Sequence, residues 1–135
     1  MPLIETDLLY SLLNANDINH KFAHNVILQV NSGELAVKFS SVSLIELQLI
    51  YKSKKIEYEF ELDLVELQRI NNIEWALLDT ISSLTAIHLR KKYNLSFFDS
   101  LHVGIAINLD KQIISQDKEY DRITGLKRIP LNSFS

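Results

Sequence analysis

The apolar residues of this chain fall into short blocks with two different spacings, separated by polar and turn-forming residues. Compact or alternating apolar runs predict short strands at residues 2–5, 35–39, 73–78 and 112–115. Apolar residues three and four positions apart predict helices at residues 7–13, 19–30 and 44–50, from Thr80 or Ser82 to residue 93, from near Asp99 onward, and briefly through Tyr120 and Asp121. Strands that alternate with helices predict an α/β fold with a mainly parallel sheet.

One segment fits both kinds of structure. From residue 56 to residue 64, apolar side chains alternate strictly with acidic ones, and this period of two favours a strand. The apolar positions Val65, Leu67 and Ile70 then continue with helical spacing. The pattern therefore leaves a strand and a helix open for this segment.

At 135 residues the chain is expected to form one domain, spanning residues 1–135.

Two acidic residues lie where the predicted strands end. In parallel sheets, sites form at the carboxyl ends of the strands, where the strand order reverses. Glu5 and Asp117 each come directly after a predicted strand. Their positions predict a functional site at that edge of the sheet.

The composition narrows the possible chemistry. An apolar content of 47% with 23% charged residues is that of an ordinary globular protein. The absence of cysteine excludes disulfides, thiolate nucleophiles and cysteine-based zinc sites. Acidic residues within the first apolar run argue against a signal peptide, and no apolar run approaches the ~20 residues that span a membrane. We therefore expect a cytoplasmic protein without a membrane segment.

The net charge of −3 excludes binding to nucleic acid through the overall field of the protein. Any such contact must use local basic groups and metal ions. Each basic group can equally be a solvated helix end. The candidate groups are Lys52, Lys54 and Lys55; Arg90, Lys91 and Lys92; and Lys118, Arg122, Lys127 and Arg128.

Two acids lie inside strongly apolar helices, where an unpaired carboxylate is costly to bury. Glu46 lies between Ile45 and Leu47, and Asp99 precedes an apolar helix face. Either acid alone can point to solvent, and Asp99 can cap its helix behind Ser96. Together with the acids near the strand ends, they predict one cluster made of Glu5, Asp7, Glu46, Asp99 and Asp117.

Carboxylates packed closely repel one another, and a hard divalent cation relieves that repulsion. Mg²⁺ prefers oxygen ligands and keeps several waters. Two such ions ~4 Å apart can activate a water and neutralise the leaving oxygen in phosphodiester cleavage. This chemistry needs no protein nucleophile, in keeping with a chain that has no cysteine and no serine elbow motif.

These residues resemble the PIN domain and, within it, the small ribonucleases of VapC type, over nearly the whole chain. The family's first strand, acid and Thr match residues 3–9 (LIETDLL), and its second acid matches residues 43–47 (SLIEL). The third acid matches residues 95–101 (LSFFDSL), the most specific phrase. The fourth acid matches residues 115–117 (SQD), with a further acid at Asp121.

The resemblance implies a three-layer α/β/α sandwich and a metal-dependent endoribonuclease, often a homodimer and often the toxin of a toxin–antitoxin pair. Its substrate would be RNA, its cofactor Mg²⁺ or Mn²⁺, and an antitoxin would block the acidic pocket. By the same resemblance, Asp99, Asp117, Glu46 and either Glu5 or Asp7 would hold the metal. Ser115, Asp121 and Thr6 would support these ligands, and Lys118 and Arg122 would contact phosphates.

The sequence departs from the family at the first acid of the predicted site. Alignment on Thr6 puts Glu5 where the family has Asp, and Asp7 where Asn or Ser is usual. Either acid can be the first ligand, and the longer Glu side chain changes the metal geometry there. A PIN-like module that binds or assembles without cleaving therefore stays open.

Three other features have alternative interpretations. His20 and His24 have the i, i+4 spacing of a zinc pair, but they lack a neighbouring Glu and a third ligand, which favours surface histidines. His102 lies three residues after Asp99 and could contact RNA, although a partly buried core histidine is the expected role. Residues 5–7 also resemble the start of haloacid-dehalogenase phosphotransferases, whose nucleophile must be Asp, so Glu5 fits poorly.

Overall fold

The computed structural model describes residues 1–134 as strands alternating with helices. The strands are β1 (Leu3–Ile4), β2 (Lys38–Ser40), β3 (Trp75–Ala76), β4 (Gln112–Ile114) and β5 (Lys127–Ile129). The helices are α1 (Thr6–Leu13), α2 (His20–Ser32), α3 (Val42–Ser53), α4 (Glu57–Gln68), α5 (Thr80–Tyr93) and α6 (Phe97–Ile107). Short 3₁₀ helices follow at Lys118–Arg122 and Leu131–Ser133. Within the described range, no helix is both long and apolar enough to cross a membrane.

Within residues 1–134, five strands form a parallel sheet in the order β3-β2-β1-β4-β5. In β1, Leu3 pairs with Lys38 on one side and with Ile113 on the other. The chain builds outward from β1 through β2 to β3, and then returns to place β4 on the opposite side of β1. The strand order thus reverses between β1 and β4, where a parallel sheet opens a crevice at its carboxyl edge.

Helices cover both faces of this sheet. Because successive side chains of a strand point to opposite faces, Leu3 and Ile113 pack with the cluster that contains α5 and α6. Ile4 and Ile114 pack on the other face, with apolar side chains of α1, α2, α3 and α4. The predicted three-layer α/β/α sandwich with a parallel sheet is therefore confirmed.

The segment that fitted both a strand and a helix is the helix α4. Phe60 and Leu67 are buried, and the ring of Phe60 lies 4.9 Å from that of Tyr51 on α3. Packing on α3 therefore outweighs the local period of two. The alternating pattern leaves some apolar side chains in solvent when the segment is helical. Tyr58 and Leu62 are 65% and 66% exposed on the outer side of α4.

Local hydrogen bonds decide where several elements begin. Asp79 caps α5 by accepting from the Ser82 amide at 2.8 Å, so α5 starts at Thr80 rather than at Ser82. The strand predicted at residues 35–39 is wrong by three residues at its start, because β2 begins at Lys38, whose amide donates to the Pro2 carbonyl at 3.0 Å. Ser96 caps α6 by accepting from the Asp99 amide, as expected from the sequence.

Gly104 lets α6 lie close against α5. A β-carbon at this position would overlap the backbone carbonyl oxygen of Ser82 and lie 3.0 Å from the β-carbon of Ala86. Backbone atoms cannot rotate away, so we expect Gly104→Ala to lower the free energy of unfolding by about 3 kcal/mol or more, the upper end for overpacking. Urea denaturation followed by circular dichroism measures this loss.

Gly125→Ala is the control for that substitution. Gly125 has φ of +87° and no atom within 4 Å of a built β-carbon, so its replacement adds only backbone strain of roughly 1 kcal/mol. Equal losses for the two variants would contradict the role given to the contact between α5 and α6.

Candidate active site

The five predicted acids meet at the carboxyl edge of the sheet. Glu5 follows β1, Asp7 lies in the first turn of α1, Glu46 lies on α3, Asp99 lies in the first turn of α6, and Asp117 follows β4. They line one cavity of about 350 Å³, together with Thr6, Tyr10 and Ile50. We call this cavity the acidic pocket.

Glu5 is the most deeply buried of these acids, with 5% of its surface exposed. Its Oε1 accepts from the Asp7 amide at 3.1 Å and lies 3.1 Å from the Ser115 hydroxyl oxygen. Burial raises the pKa of Glu5 well above 4.5, and the nearby charge of Asp7 raises it further. Glu5 therefore holds its proton more tightly in the folded chain than in the unfolded chain.

Asp7 binds the loop after β4. Its Oδ2 accepts from the Ser115 hydroxyl at 2.7 Å and from the Gln116 amide at 2.9 Å. Its Oδ1 is buried and has no hydrogen-bond partner in the described part of the chain. An orphaned carboxylate oxygen is costly to bury, and a cation would satisfy it. Since Ser115 reaches both Asp7 and Glu5, the geometry leaves both open as the first ligand.

Glu46 is held by two side chains from other elements. Its Oε1 accepts from the hydroxyl of Thr6, and it lies 2.9 Å from Nε2 of His102. Burial by itself would raise the pKa of Glu46, but the hydrogen bonds from His102 and Thr6 outweigh burial and lower it. Thr6 therefore contributes to holding Glu46 in place.

His102 lies deeper in the protein than expected. We expected a partly buried core histidine, whereas its side chain is fully buried and reaches into the group of acids. Its Nδ1 lies 2.8 Å from the Ser40 hydroxyl, and its Nε2 lies 4.0 Å from Oε2 of Glu5. The available signal was a histidine one helical turn after Asp99 in an otherwise apolar helix.

Tyr120 joins two acids, and the sequence analysis did not identify it as a site residue. Its hydroxyl lies 3.2 Å from Oδ1 of Asp99 and 3.4 Å from Oε2 of Glu5. Burial raises the pKa of Tyr120 well above its usual value, with the charges of Glu5 and Asp99 as further causes. Tyr120 thus stays protonated and can donate to either acid. No local sequence pattern marks a tyrosine for this role.

Asp117 ends the loop after β4 and starts the following 3₁₀ helix. Its Oδ1 accepts from the Glu119 amide at 2.9 Å, and its own amide donates to the Ser115 hydroxyl at 3.0 Å. Ser115 therefore contacts three of the five acids: Glu5, Asp7 and Asp117. This serine organises the side of the pocket that belongs to β4.

The remaining predicted site residues lie outside the lining of the acidic pocket. Asp121 pairs with Arg128 at 2.9 Å, and Arg128 donates to the Ser115 carbonyl at 3.1 Å, so Asp121 reaches the site only through this arginine. Arg122 pairs with Glu119 at 2.9 Å. Lys118 is exposed directly after Asp117.

The geometry of His20 and His24 does not support a zinc site. The rings of His20 and His24 stack with centroids 6.3 Å apart, and Nδ1 of His20 lies 2.9 Å from the Ser11 carbonyl oxygen. Within residues 1–134, the one group of three or more ligand-type side chains close enough to share an ion is Glu5, Glu46 and His102. Their donor atoms lie within 4.8 Å of one another.

The donor set of the acidic pocket fits a divalent cation. It offers carboxylate oxygens from several elements, one imidazole nitrogen and the orphaned Oδ1 of Asp7. Mg²⁺ and Mn²⁺ both suit a site that is rich in carboxylate oxygen. Glu5 and Glu46 are the carboxylates best placed to share one ion.

The two pKa shifts have opposite signs and predict opposite effects on stability without metal. Because the pKa of Glu5 is raised, the stability that its proton supplies is present below pH 4.5 and is lost as the pH rises through the folded-state pKa. Glu5→Gln keeps the neutral form, so we expect it to be more stable than wild type at pH 7 in EDTA and similar at pH 4. A tenfold change in proton affinity corresponds to about 1.4 kcal/mol.

Glu46→Gln is the matched control. The pKa of Glu46 is lowered, so its contribution is present above pH 4.5 and is lost as the pH falls through the folded-state value. This variant should be less stable than wild type at pH 7. Urea unfolding between pH 4 and pH 8 measures both variants, and a Glu5→Gln protein that is destabilised at pH 7 would contradict the assignment.

The similarity of this chain to known proteins lies in its fold, which several solved structures share. A search of curated proteins finds no match. Among solved structures, a chain of VapBC2 from Rickettsia felis bound to a promoter DNA fragment has a TM-score of 0.76 at 16% identity, covering 96% of this chain and 98% of that one. VapC20 of Mycobacterium tuberculosis, described as a toxin that cleaves the sarcin-ricin loop, has a TM-score of 0.70 at 13% identity, covering 90% and 94%. A chain of a toxin–antitoxin complex from Klebsiella pneumoniae has a TM-score of 0.65 at 14% identity, covering 93% and 95%.

At these identities the structural matches show a common fold. The sequence itself matches the model of the PIN domain over residues 3–126, which includes all five acids and Ser115. This match covers most of the sequence. The chain therefore belongs to the PIN domain family.

Proposed function

We propose that this protein is a metal-dependent endoribonuclease and the toxin of a toxin–antitoxin pair. The observation that carries the proposal is the meeting of five acids from distant parts of the chain, with one buried carboxylate oxygen left without a partner. Membership of the PIN domain family supports a nuclease. The similar fold of VapC20, a toxin described as cleaving the sarcin-ricin loop, supports RNA as the substrate.

Each group of the pocket has a role in this proposal. Bound Mg²⁺ or Mn²⁺, as one ion or a pair, would neutralise the phosphate and lower the pKa of the attacking water. Glu5 or Asp7, Glu46, Asp99 and Asp117 supply the oxygen ligands. Thr6 and Ser115 fix the orientation of these carboxylates, and Tyr120 can donate to either Glu5 or Asp99. Hydrolysis adds water across one P–O bond, and the leaving oxygen takes the proton.

Basic side chains beside the pocket are the proposed phosphate contacts. Lys118 is exposed next to Asp117 and is free to reach a bound strand, whereas Arg122 must leave Glu119 to do so. Lys54 offers a further contact, because its Nζ donates at 2.6 Å to the hydroxyl of Tyr10, which lines the acidic pocket. Phosphate contacts of this kind position RNA without reading its bases.

Loss of one pocket carboxylate should abolish cleavage. We expect wild type to cleave RNA in Mg²⁺ or Mn²⁺ and Asp99→Asn to be at least about 100-fold slower, since removing a ligand costs several kcal/mol of transition-state stabilisation. Gel analysis of a labelled RNA measures the rate. Asp110→Asn is the matched control, because Asp110 precedes β4 at the opposite edge of the sheet and pairs with the N-terminal amine. Equal rates for Asp99→Asn and wild type would refute the proposal.

The same assay decides the second candidate function, a PIN-fold module that binds or assembles without cleaving. Glu5 is the observation that favours it, since Glu replaces the Asp expected at this corner. No cleavage by wild type or by Asp99→Asn, together with no uptake of Mg²⁺ or Mn²⁺ in titration calorimetry, would favour the module over the nuclease.

An antitoxin partner has a suitable surface on α4. An apolar groove of about 570 Å³ lies between α3, α4 and β3, on side chains that include Leu44, Val65, Ile73 and Trp75, with Glu61 at its side. α4 carries five acids, and within residues 1–134 only Glu66 forms an ion pair, with Arg69 at 2.9 Å. An apolar groove beside unpaired acids is complementary to a basic amphipathic helix. We propose that an antitoxin helix of this chemistry binds here, as an anchor in addition to the acidic pocket that the antitoxin is expected to block.

A designed helical peptide, with leucines on one face and lysines at their flanks, tests this groove. We expect its titration to shift the backbone amide resonances of Val65, Ile73 and Trp75, with affinity that weakens as salt rises. Val65→Asp should abolish the shifts, and a peptide with glutamate in place of lysine should not bind. Shifts confined to the acidic pocket would contradict this docking site.

We also propose that the protein forms a homodimer through α5. Ile81 and Leu84 are each 64% exposed and Ile87 is 44% exposed, in a stretch from Thr80 to Ile87 without a charged side chain. A two-fold axis brings identical residues together, so an uncharged face avoids like-charge repulsion. Sedimentation equilibrium at micromolar concentration measures the dimer, and a monomer that persists there would contradict it.

A further inference from the structure

His102 occupies a position that structural packing alone does not require. Its imidazole is fully buried on α6, and both ring nitrogens face polar side chains rather than the apolar core. Nε2 points between two pocket carboxylates, 2.9 Å from Oε1 of Glu46 and 4.0 Å from Oε2 of Glu5, with the Thr6 hydroxyl oxygen 3.0 Å away. A buried ring that served only to fill space would have no need of two acids on one nitrogen.

These distances allow one ion to bind all three groups. Two ligand atoms that are each about 2.1 Å from the same ion are at most about 4.2 Å apart. Both separations from Nε2 fall within this limit, and the donor atoms of Glu5, Glu46 and His102 all lie within 4.8 Å of one another. Only small side-chain movements are needed to form the site.

The opposite side of the ring has the partner that a metal-binding histidine requires. A ligating imidazole donates its other N–H to a fixed acceptor, which sets the tautomer and the ring orientation. Ser40 lies 2.8 Å from Nδ1 at the end of β2 and can fill this role. A hydroxyl can accept as well as donate, so Ser40 stabilises the ring both when Nε2 donates to Glu46 and when Nε2 offers its lone pair.

We propose that Nε2 of His102 is a direct ligand of the divalent cation, so that the centre binds its ion through mixed oxygen and nitrogen donors from Glu5, Glu46 and His102. The inference rests on the proposed function in that it takes the acidic pocket to bind such an ion. Imidazole nitrogen favours transition-metal ions, whereas Mg²⁺ prefers a shell of oxygen. The mixed site therefore selects Mn²⁺ over Mg²⁺.

Pulsed electron paramagnetic resonance of the Mn²⁺-loaded protein, without RNA, tests this ligand directly. We expect a nitrogen hyperfine coupling that changes when wild type contains histidine labelled with the heavy nitrogen isotope, a measurement that needs no substitution. His102→Gln should lose the coupling. His24→Gln, at an exposed histidine of α2, should retain it.

Metal titrations give the second measurement. Loss of outer-shell partners of a metal already costs about 10-fold or more in affinity, so His102→Gln should weaken Mn²⁺ binding by at least about 10-fold and Mg²⁺ binding by less. Bound Mn²⁺ without nitrogen coupling, or an unchanged ratio of Mn²⁺ to Mg²⁺ affinity, would overturn the proposal and leave His102 as a hydrogen-bond partner of Glu46. Failure of wild type to bind Mn²⁺ at all would also overturn it.

RNA cleavage separates this inference from the proposed function. A wild-type protein that cleaves RNA but shows only oxygen ligands on Mn²⁺ remains a nuclease and contradicts only the role of His102. A protein that binds Mn²⁺ through nitrogen and cleaves no RNA keeps the metal site and loses the proposed activity.

Discussion

Mutual repulsion among carboxylates is the constraint on which the rest of this structure depends. Five acids line one cavity, and within residues 1–134 no lysine or arginine side chain hydrogen-bonds any of them. Their donors are hydroxyls, backbone amides and one imidazole, which soften the repulsion without cancelling the charge. Burial raises the pKa of Glu5 and the charge of Asp7 raises it further, while Oδ1 of Asp7 has no hydrogen-bond partner in the described part of the chain. A cation removes both, which is why the pocket is suited to metal.

The sheet explains why the acids meet at all. β1 lies between β2 and β4, so the segments that follow these three strands leave the sheet side by side at the same edge. Glu5 follows β1, α3 begins shortly after β2, and the loop that contains Ser115 follows β4. α6 then crosses the sheet close to α5, since Gly104 has no side chain, and presents Asp99 and His102 one turn apart. The crevice at the reversal of strand order thus becomes a site through topology.

Glu5 and Asp7 place two carboxylates where β1 ends and α1 begins. Glu5 reaches toward Tyr120 and His102, whereas Asp7 reaches the backbone after β4, and Ser115 hydrogen-bonds to both. The longer side chain of Glu5 therefore extends toward α6, the helix that also contributes His102. Glu5 and the buried imidazole of His102 therefore lie side by side in the same group of possible metal ligands.

The sequence by itself determined the alternation of strands and helices, the carboxyl edge as the place of the site and the five acids that line the pocket, because these follow from local spacing and from motif. Only the tertiary structure decided that residues 57–68 form a helix, since packing of Phe60 on Tyr51 outweighs an alternating pattern. It also decided that Tyr120 and His102 join the acids and that Arg122 pairs with Glu119 outside the pocket. Hydrogen bonds such as that between Thr6 and His102, 96 positions apart, depend on how distant elements pack, and no local pattern encodes that packing.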